Sequence, residues 1–216
     1  MVEMLGEFEL NKIYCMDCLE GLKKIPDNSV DLVLTDVPYC IGLEKMNLGY
    51  SITKNHNRDW DKYGFPEEVF NELKRISKNQ IIFGGNYFKF LPVKRCWIIW
   101  DKRLTDKNRD DYGDCELAWT SFDKPMRIFR CLWHGFLATK DTNEKNRVHP
   151  TQKPLKLFRE IIQMFSNENM IIMDCFMGSG TTAVAAKQLG RRFIGFEINP
   201  EYCKIAEKRL AQEVLF

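Results

Sequence analysis

In the stretch TDVPYC, residues 35–40, an acid, a proline and an aromatic ring follow directly after the apolar run VDLVL. The carboxylate of Asp36 is a hydrogen-bond acceptor, and the ring of Tyr39 is a flat surface on which another planar group can stack. Pro38 has a fixed φ and pushes the residue before it into an extended conformation, so the carbonyl of Val37 is held as a second acceptor. This strand end therefore presents an acceptor, a held carbonyl and a stacking plate.

A second chemical signal is DCFMGSGTTAVAA, residues 174–186, which reads as a strand end, a turn with Gly178 and Gly180, and an alanine-rich helix. Glycines there permit positive φ and leave no β-carbon in the way of a ligand; equally, they serve a tight strand-to-helix turn. A phosphate loop of the G-x-x-x-x-G-K-S/T type is excluded, since no lysine follows, and a G-x-G-x-x-G run would end on Ala183. The next strand ends at Glu197, 17 residues past Gly180, where a carboxylate accepts hydrogen bonds from ribose hydroxyls. The pair fits an adenosyl cofactor, and on these residues alone nicotinamide and sulfonium cofactors both remain open.

The elements that must position these groups alternate. Strands are expected over 30–35, 79–85, 96–100, 115–122, 170–176 and 191–197, and helices over 66–77, 154–166, 180–190 and 200–212. Such alternation indicates an α/β fold with a mostly parallel central sheet and helices on both faces. In the second helix Leu157, Ile161 and Phe165 repeat at i, i+4 and i+8, a core-facing stripe. Asn199 before Pro200 supplies a helix cap and a first-turn proline. Residues 41–65 are polar and too long for an ordinary connection, so a mobile loop is expected there; residues 123–148 read as a small inserted hairpin suited to target recognition.

At 216 residues, 44% hydrophobic and without internal repeats, the chain is expected to form a single domain over 1–216. The N-terminus shows no leader pattern and no run is long enough for a membrane span, which reads as cytosolic with no membrane partner. Eight cysteines in apolar runs read as free buried thiols, and one C-x-x-C with three scattered histidines gives no metal site. The net charge of +2 conceals seven Lys/Arg against two Asp over 86–109, and nine against two acids over 124–159. Such stretches suit either a solvated face or nucleic-acid phosphates.

Taken together, DVPY and FMGSG resemble the D-P-P-Y and F-x-G-x-G motifs of the amino-group DNA methyltransferases. The tetrapeptide comes first, HPTQKPLKLF (149–158) follows, and the glycine loop lies near the C-terminus; this permuted order resembles the family's β group. The resemblance runs from about Asp17 to Arg209. Glutamine methyltransferases acting on proteins carry N-P-P-Y after their cofactor loop, the opposite order. The resemblance implies a Rossmann-like methyltransferase fold, S-adenosyl-L-methionine as cofactor and double-stranded DNA as partner, with a homodimer one way to complete the grip on DNA. It assigns cofactor binding to Asp174, Phe176, Gly178, Gly180 and Thr181 of the loop, to Glu197, and to Thr151 and Lys153 of the H-P-T-x-K-P-like segment, which helps hold the methionine part. Asp17 matches an early acidic position near the cofactor's adenine, and reads equally as a helix-start residue.

Adenine N6 is the expected target, because members acting on cytosine N4 usually carry Ser where this chain has Asp36. Cytosine N4, an RNA or protein amine, and a non-catalytic DNA-binding relic marked by Val37 are the alternatives. In the expected mechanism Asp36 and the Val37 carbonyl, fixed by Pro38, accept from the two N–H bonds of a flipped base stacked on Tyr39. The loop at 41–65 would close over it, with Lys54, Arg58 and the 86–109 stretch on phosphates and Arg127, Arg130 and Lys140 as candidate base readers.

Overall fold

The computed structural model describes residues 2–39, 64–103, 113–134, 137–138 and 152–212. Nearly all of the expected loop at 41–65, and Lys140, His149 and Thr151, lie outside the described residues.

The centre is an eight-stranded sheet. Its strands are β3 (Lys12–Cys15), β4 (Val30–Asp36), β5 (Ser77–Phe83), β6 (Trp97–Asp101), β7 (Cys115–Thr120), β8 (Arg127–Arg130), β11 (Ile171–Asp174) and β12 (Arg192–Glu197), in the spatial order β3-β12-β11-β4-β5-β7-β6-β8. Two small hairpins, β1 (Met4–Leu5) with β2 (Phe8–Glu9) and β9 (Trp133–His134) with β10 (Leu137–Ala138), lie outside it. Every pair from β3 to β5 is parallel, as is β6 with β8; only β7 runs against its neighbours. The six expected strands form within a few residues of their expected bounds. The strands at Lys12–Cys15 and Arg127–Arg130 were not anticipated: both are four-residue edge strands too short to show a period. The expected insertion at 123–148 thus begins inside the central sheet.

Helices cover both faces. α3 (Leu155–Phe165), α4 (Thr181–Gln188) and α5 (Pro200–Ala211) pack on one, α1 (Cys18–Leu22) and α2 (Glu67–Ile76) on the other. α2 and α3 carry the stripe this requires, whereas α4 is buried all round from Thr181 to Ala186. In α2 it is Val69, Phe70, Leu73 and Ile76, with Glu67 and Glu68 in the first turn and Lys74 and Arg75 in the last, each sign at the helix end that favours it. Asn199 caps α5 by accepting from the Glu201 N–H at 2.9 Å, with Pro200 behind it, as expected.

Strand alternation decides what reaches the site. Along β4, Leu32 and Leu34 face the α3–α4 layer and Val33 faces α2, so Asp36 continues the α3–α4 side and Thr35 the other. From the central strands the chain winds outward in both directions: β11 leads to β12 on one side, β4 to β5 on the other. The crevice between β11 and β4, at the carboxyl ends of the strands, is where such sheets bind ligands.

Candidate active site

Asp36 ends β4 at this crevice and is held on both oxygens. Its Oδ1 accepts from the Tyr39 hydroxyl at 2.6 Å, and its Oδ2 lies 2.6 Å from the Lys153 ammonium. Burial, the largest influence, raises the Asp36 carboxyl above its ordinary value against the pull of Lys153. Burial, then Asp36 and Glu116, raise the Tyr39 hydroxyl well above its ordinary value, so it stays a donor. The Tyr39 ring stacks on Tyr87, with centroids 5.3 Å apart at 29°, and lies against Gly84, whose positive φ and missing β-carbon leave room for it. Val37 is buried and packs in the α1–α2 core, so its side chain anchors the turn from which Asp36 and Tyr39 project.

Lys153, expected at the methionine end of a cofactor, directs its ammonium to the Asp36 carboxylate, lies 3.1 Å from Glu116 Oε2 and donates to the Tyr39 hydroxyl at 3.3 Å. Burial opposes its charge, but Asp36 and then Glu116 outweigh burial and raise it above its ordinary value. Glu116 is the second residue of β7 and also pairs with Lys102 at 2.5 Å. Burial alone would raise Glu116; Lys153 and Lys102 overcome it and hold the carboxyl at about 2. Glu116 and Lys102 were not singled out in the sequence. The only signal was an acid inside the otherwise apolar run CELAW, since only the reversed direction of β7 brings its first residues to this edge of the sheet.

Asp174 ends β11, next to β4, and joins the two strands: its Oδ1 accepts from Thr35 Oγ1 at 2.7 Å and from the Phe176 N–H at 3.0 Å, and its Oδ2 from Thr182 Oγ1 at 2.5 Å. Burial pushes it up to about 6 despite those donors. Past it, Gly178 and Gly180 both take positive φ. The Gly178 N–H donates to Glu197 Oε2 at 2.7 Å, and Glu197 Oε1 accepts from the Asn199 N–H at 2.8 Å. Burial raises the Glu197 carboxyl against those two donors. The glycine turn and the strand-end carboxylate are thus brought together, with acceptor lone pairs left on Glu197 and the Phe176 ring half-buried beside the turn, which fits a ribose-bearing ligand.

Two residues expected at the cofactor also have structural roles. A β-carbon on Gly180 would meet the Ala206 β-carbon of α5 at 2.8 Å, so its missing side chain makes room for helix contact. Asp17 caps α1, its Oδ1 accepting from the Leu19 and Glu20 N–H groups at 2.9 and 3.2 Å, which is the helix-start role. Thr181 Oγ1 lies 3.5 Å from the Lys153 carbonyl and 3.1 Å from Arg209, tying the glycine turn to the segment carrying Lys153.

A mostly parallel sheet with an acidic strand end on one side of its crevice and a glycine turn with a ribose-type carboxylate on the other defines a Rossmann-like methyltransferase. M1.HpyAVI, solved as its SAM complex, superposes with a TM-score of 0.60 at 28% identity over 92% of this chain and 99% of that one. PvuII DNA methyltransferase, cytosine-N4-specific, shares the fold with a TM-score of 0.62 at 18% identity over 94% of this chain and 87% of that one. The chain belongs to the DNA methylase family, which its residues 91–208 match over more than half its length. The Type II methyltransferase M.HinfI of Haemophilus influenzae is 31% identical over 98% of this chain and 71% of that relative. Among the described residues, no helix is long and apolar enough to cross a membrane.

Proposed function

We propose that this chain transfers a methyl group from S-adenosylmethionine to the exocyclic N6 of an adenine flipped out of double-stranded DNA. The observation that carries the reading is the Asp36 carboxylate at the crevice edge, beside Tyr39 and next to the strand that leads into the glycine turn. An aspartate at this position, where family members acting on cytosine N4 usually carry serine, favours adenine. When bound, S-adenosylmethionine supplies an electrophilic methyl on sulfur; Glu197 and the Gly178 turn would hold its ribose, and the segment around Thr151 and Lys153 its methionine end.

The amino nitrogen of adenine is a weak nucleophile because its lone pair is delocalised into the ring. Asp36 accepts one of its N–H bonds and the Val37 carbonyl the other, which draws the nitrogen toward tetrahedral geometry and stabilises the positive charge that grows as it attacks. Tyr39 offers a stacking face to the flipped base, worth about 1–3 kcal/mol against the cost of unstacking. Valine has the carbonyl that position 37 needs, and Pro38 biases it to the extended region, so DVPY supports an active enzyme.

The test is the modified nucleoside. Unmethylated genomic DNA treated with the protein and S-adenosylmethionine should yield N6-methyladenine on digestion to nucleosides. Asp36→Ala should bind S-adenosylmethionine as the parent does but transfer about 100- to 1000-fold more slowly. N4-methylcytosine as the product would overturn the adenine assignment, and no methylated base from the parent would overturn the enzyme reading.

A further inference from the structure

Both oxygens of Asp36 are taken in the structure, one by the Tyr39 hydroxyl and one by the Lys153 ammonium. The lysine has a second carboxylate within reach at 3.1 Å, Glu116, whose other oxygen is held by Lys102. Two carboxylates and two ammonium groups form a charge-balanced set with Lys153, only 7% exposed, at its middle. We propose that Lys153 is a two-seat gate on the catalytic carboxylate, resting on Asp36 when no base is present and withdrawing to Glu116 when the target amine arrives. Glu116 is then a positioning residue for methyl transfer. The inference rests on the amine-methylating function proposed above.

The physical case is a conflict of like charges. The amine gains positive charge as it attacks, and Asp36 stabilises it as a bare anion; an ammonium left at 2.6 Å from that anion would oppose the same charge. Without a base, however, a largely enclosed Asp36 with no cation would carry its own desolvation cost. A single mobile cation resolves both states only if it has a partner in each, because a buried ammonium without a partner is as costly as a buried carboxylate. Glu116 is that partner: 24% exposed, adjacent to Nζ already, and kept anionic by Lys102 on its other oxygen. The long, flexible lysine stem suits a short transfer between neighbouring oxygens.

Single-turnover rates on unmethylated genomic DNA at saturating S-adenosylmethionine, taken across pH, test the gate, with cofactor affinity measured separately by calorimetry. Glu116→Gln removes the second seat and should lower the plateau rate about 100-fold, with cofactor affinity within a few-fold of the parent. Adding Lys153→Met to it removes the trapped ammonium and should recover most of that loss, a rescue no loss of packing would produce. The groups facing Asp36 are Tyr39, Lys153, Glu116 and Asp174, with Lys102 behind Glu116. Lys153→Met alone leaves Asp36 and Glu116 as neighbouring anions, so the acidic limb of the rate profile should move to higher pH. A parental plateau in Glu116→Gln, or a double variant no faster than Glu116→Gln, would overturn the gate. If Glu116→Gln fails to fold, an unshifted acidic limb in Lys153→Met overturns it. A parent that methylates no DNA base fails at the first measurement, before any variant is compared, and takes the proposed function with it.

Discussion

Three carboxylates of this site are tuned differently by their neighbours: Asp36 is shared between a tyrosine and a lysine, Glu116 sits between two lysines, and Asp174 has only neutral donors. Asp174 is therefore the one whose charge folding disfavours most plainly, with its carboxyl pushed up to about 6 from 3.8. Its folded value lies above its unfolded one, so the stability it contributes is full at low pH and is lost as pH rises through about 6. Glu116, held at about 2 from 4.5, runs the other way: its contribution is present at neutral pH and lost only as pH falls toward 2. Asp174→Asn keeps the shape and the oxygen that accepts from Thr35 while removing the charge. In urea unfolding without cofactor, its stability relative to the parent should rise by about 2–3 kcal/mol between about pH 4 and pH 7. A difference that stays flat across that range would mean Asp174 is not strained by ionisation. At this scale the sequence was informative where function is local. Asp36 and Tyr39 share one tetrapeptide and the glycine turn is one short run, whereas Glu116 and Lys102 join Asp36 only through long-range strand pairing that no short window contains.

The elements were legible wherever they carried a clear pattern: α2 and α3 announce their buried stripes, and β4, β5 and β11 the short apolar runs LVL, IIF and IIM. The edge strands β3 and β8 and the single-turn α1 were not, because four or five residues show no period and their neighbours in the sheet come from distant parts of the chain. The glycine turn shows how an element read correctly can carry a second local reason. Both glycines have the positive φ that a strand-to-helix turn requires, and the missing side chain of Gly180 makes room for Ala206 of α5. Gly180→Ala therefore combines a strained φ of 84° with a β-carbon 2.8 Å from its neighbour, where contact normally begins near 3.4 Å. The variant should lose about 1–3 kcal/mol of stability in thermal or urea unfolding. What remains folded should still gain stability from S-adenosylmethionine. Unchanged stability, or selective loss of the cofactor's stabilising effect, would return Gly180 to the ligand side.

Across the whole molecule the strands that end at the crevice define a working edge: Asp36, Asp101, Arg130, Asp174 and Glu197 all lie at carboxyl ends of parallel strands, and Glu116 joins them as the second residue of the one reversed strand. DNA that delivers a base to Asp36 must lie along this edge, which separates the basic residues into those that can meet its phosphates and those that cannot. Several are already engaged within the protein: Lys102 with the part-buried Glu116, and Arg103 with Asp101 and Asp114. Arg127 and Arg130 are both exposed on β8, but they sit at opposite ends of it, three residues and so roughly 10 Å apart. Arg130 is at the working edge; its pairing with Asp101 at 3.4 Å is solvent-exposed and weak enough to exchange for a phosphate. Binding of double-stranded DNA should therefore weaken linearly in log–log plots against salt, by about 0.9 for each phosphate neutralised. Arg130→Ala should reduce that slope by about 0.9, while Arg127→Ala and Lys102→Met leave it where the parent has it. Equal losses from Arg127→Ala and Arg130→Ala would mean that DNA spans the full length of β8, and no loss from Arg130→Ala would remove DNA from this edge of the sheet.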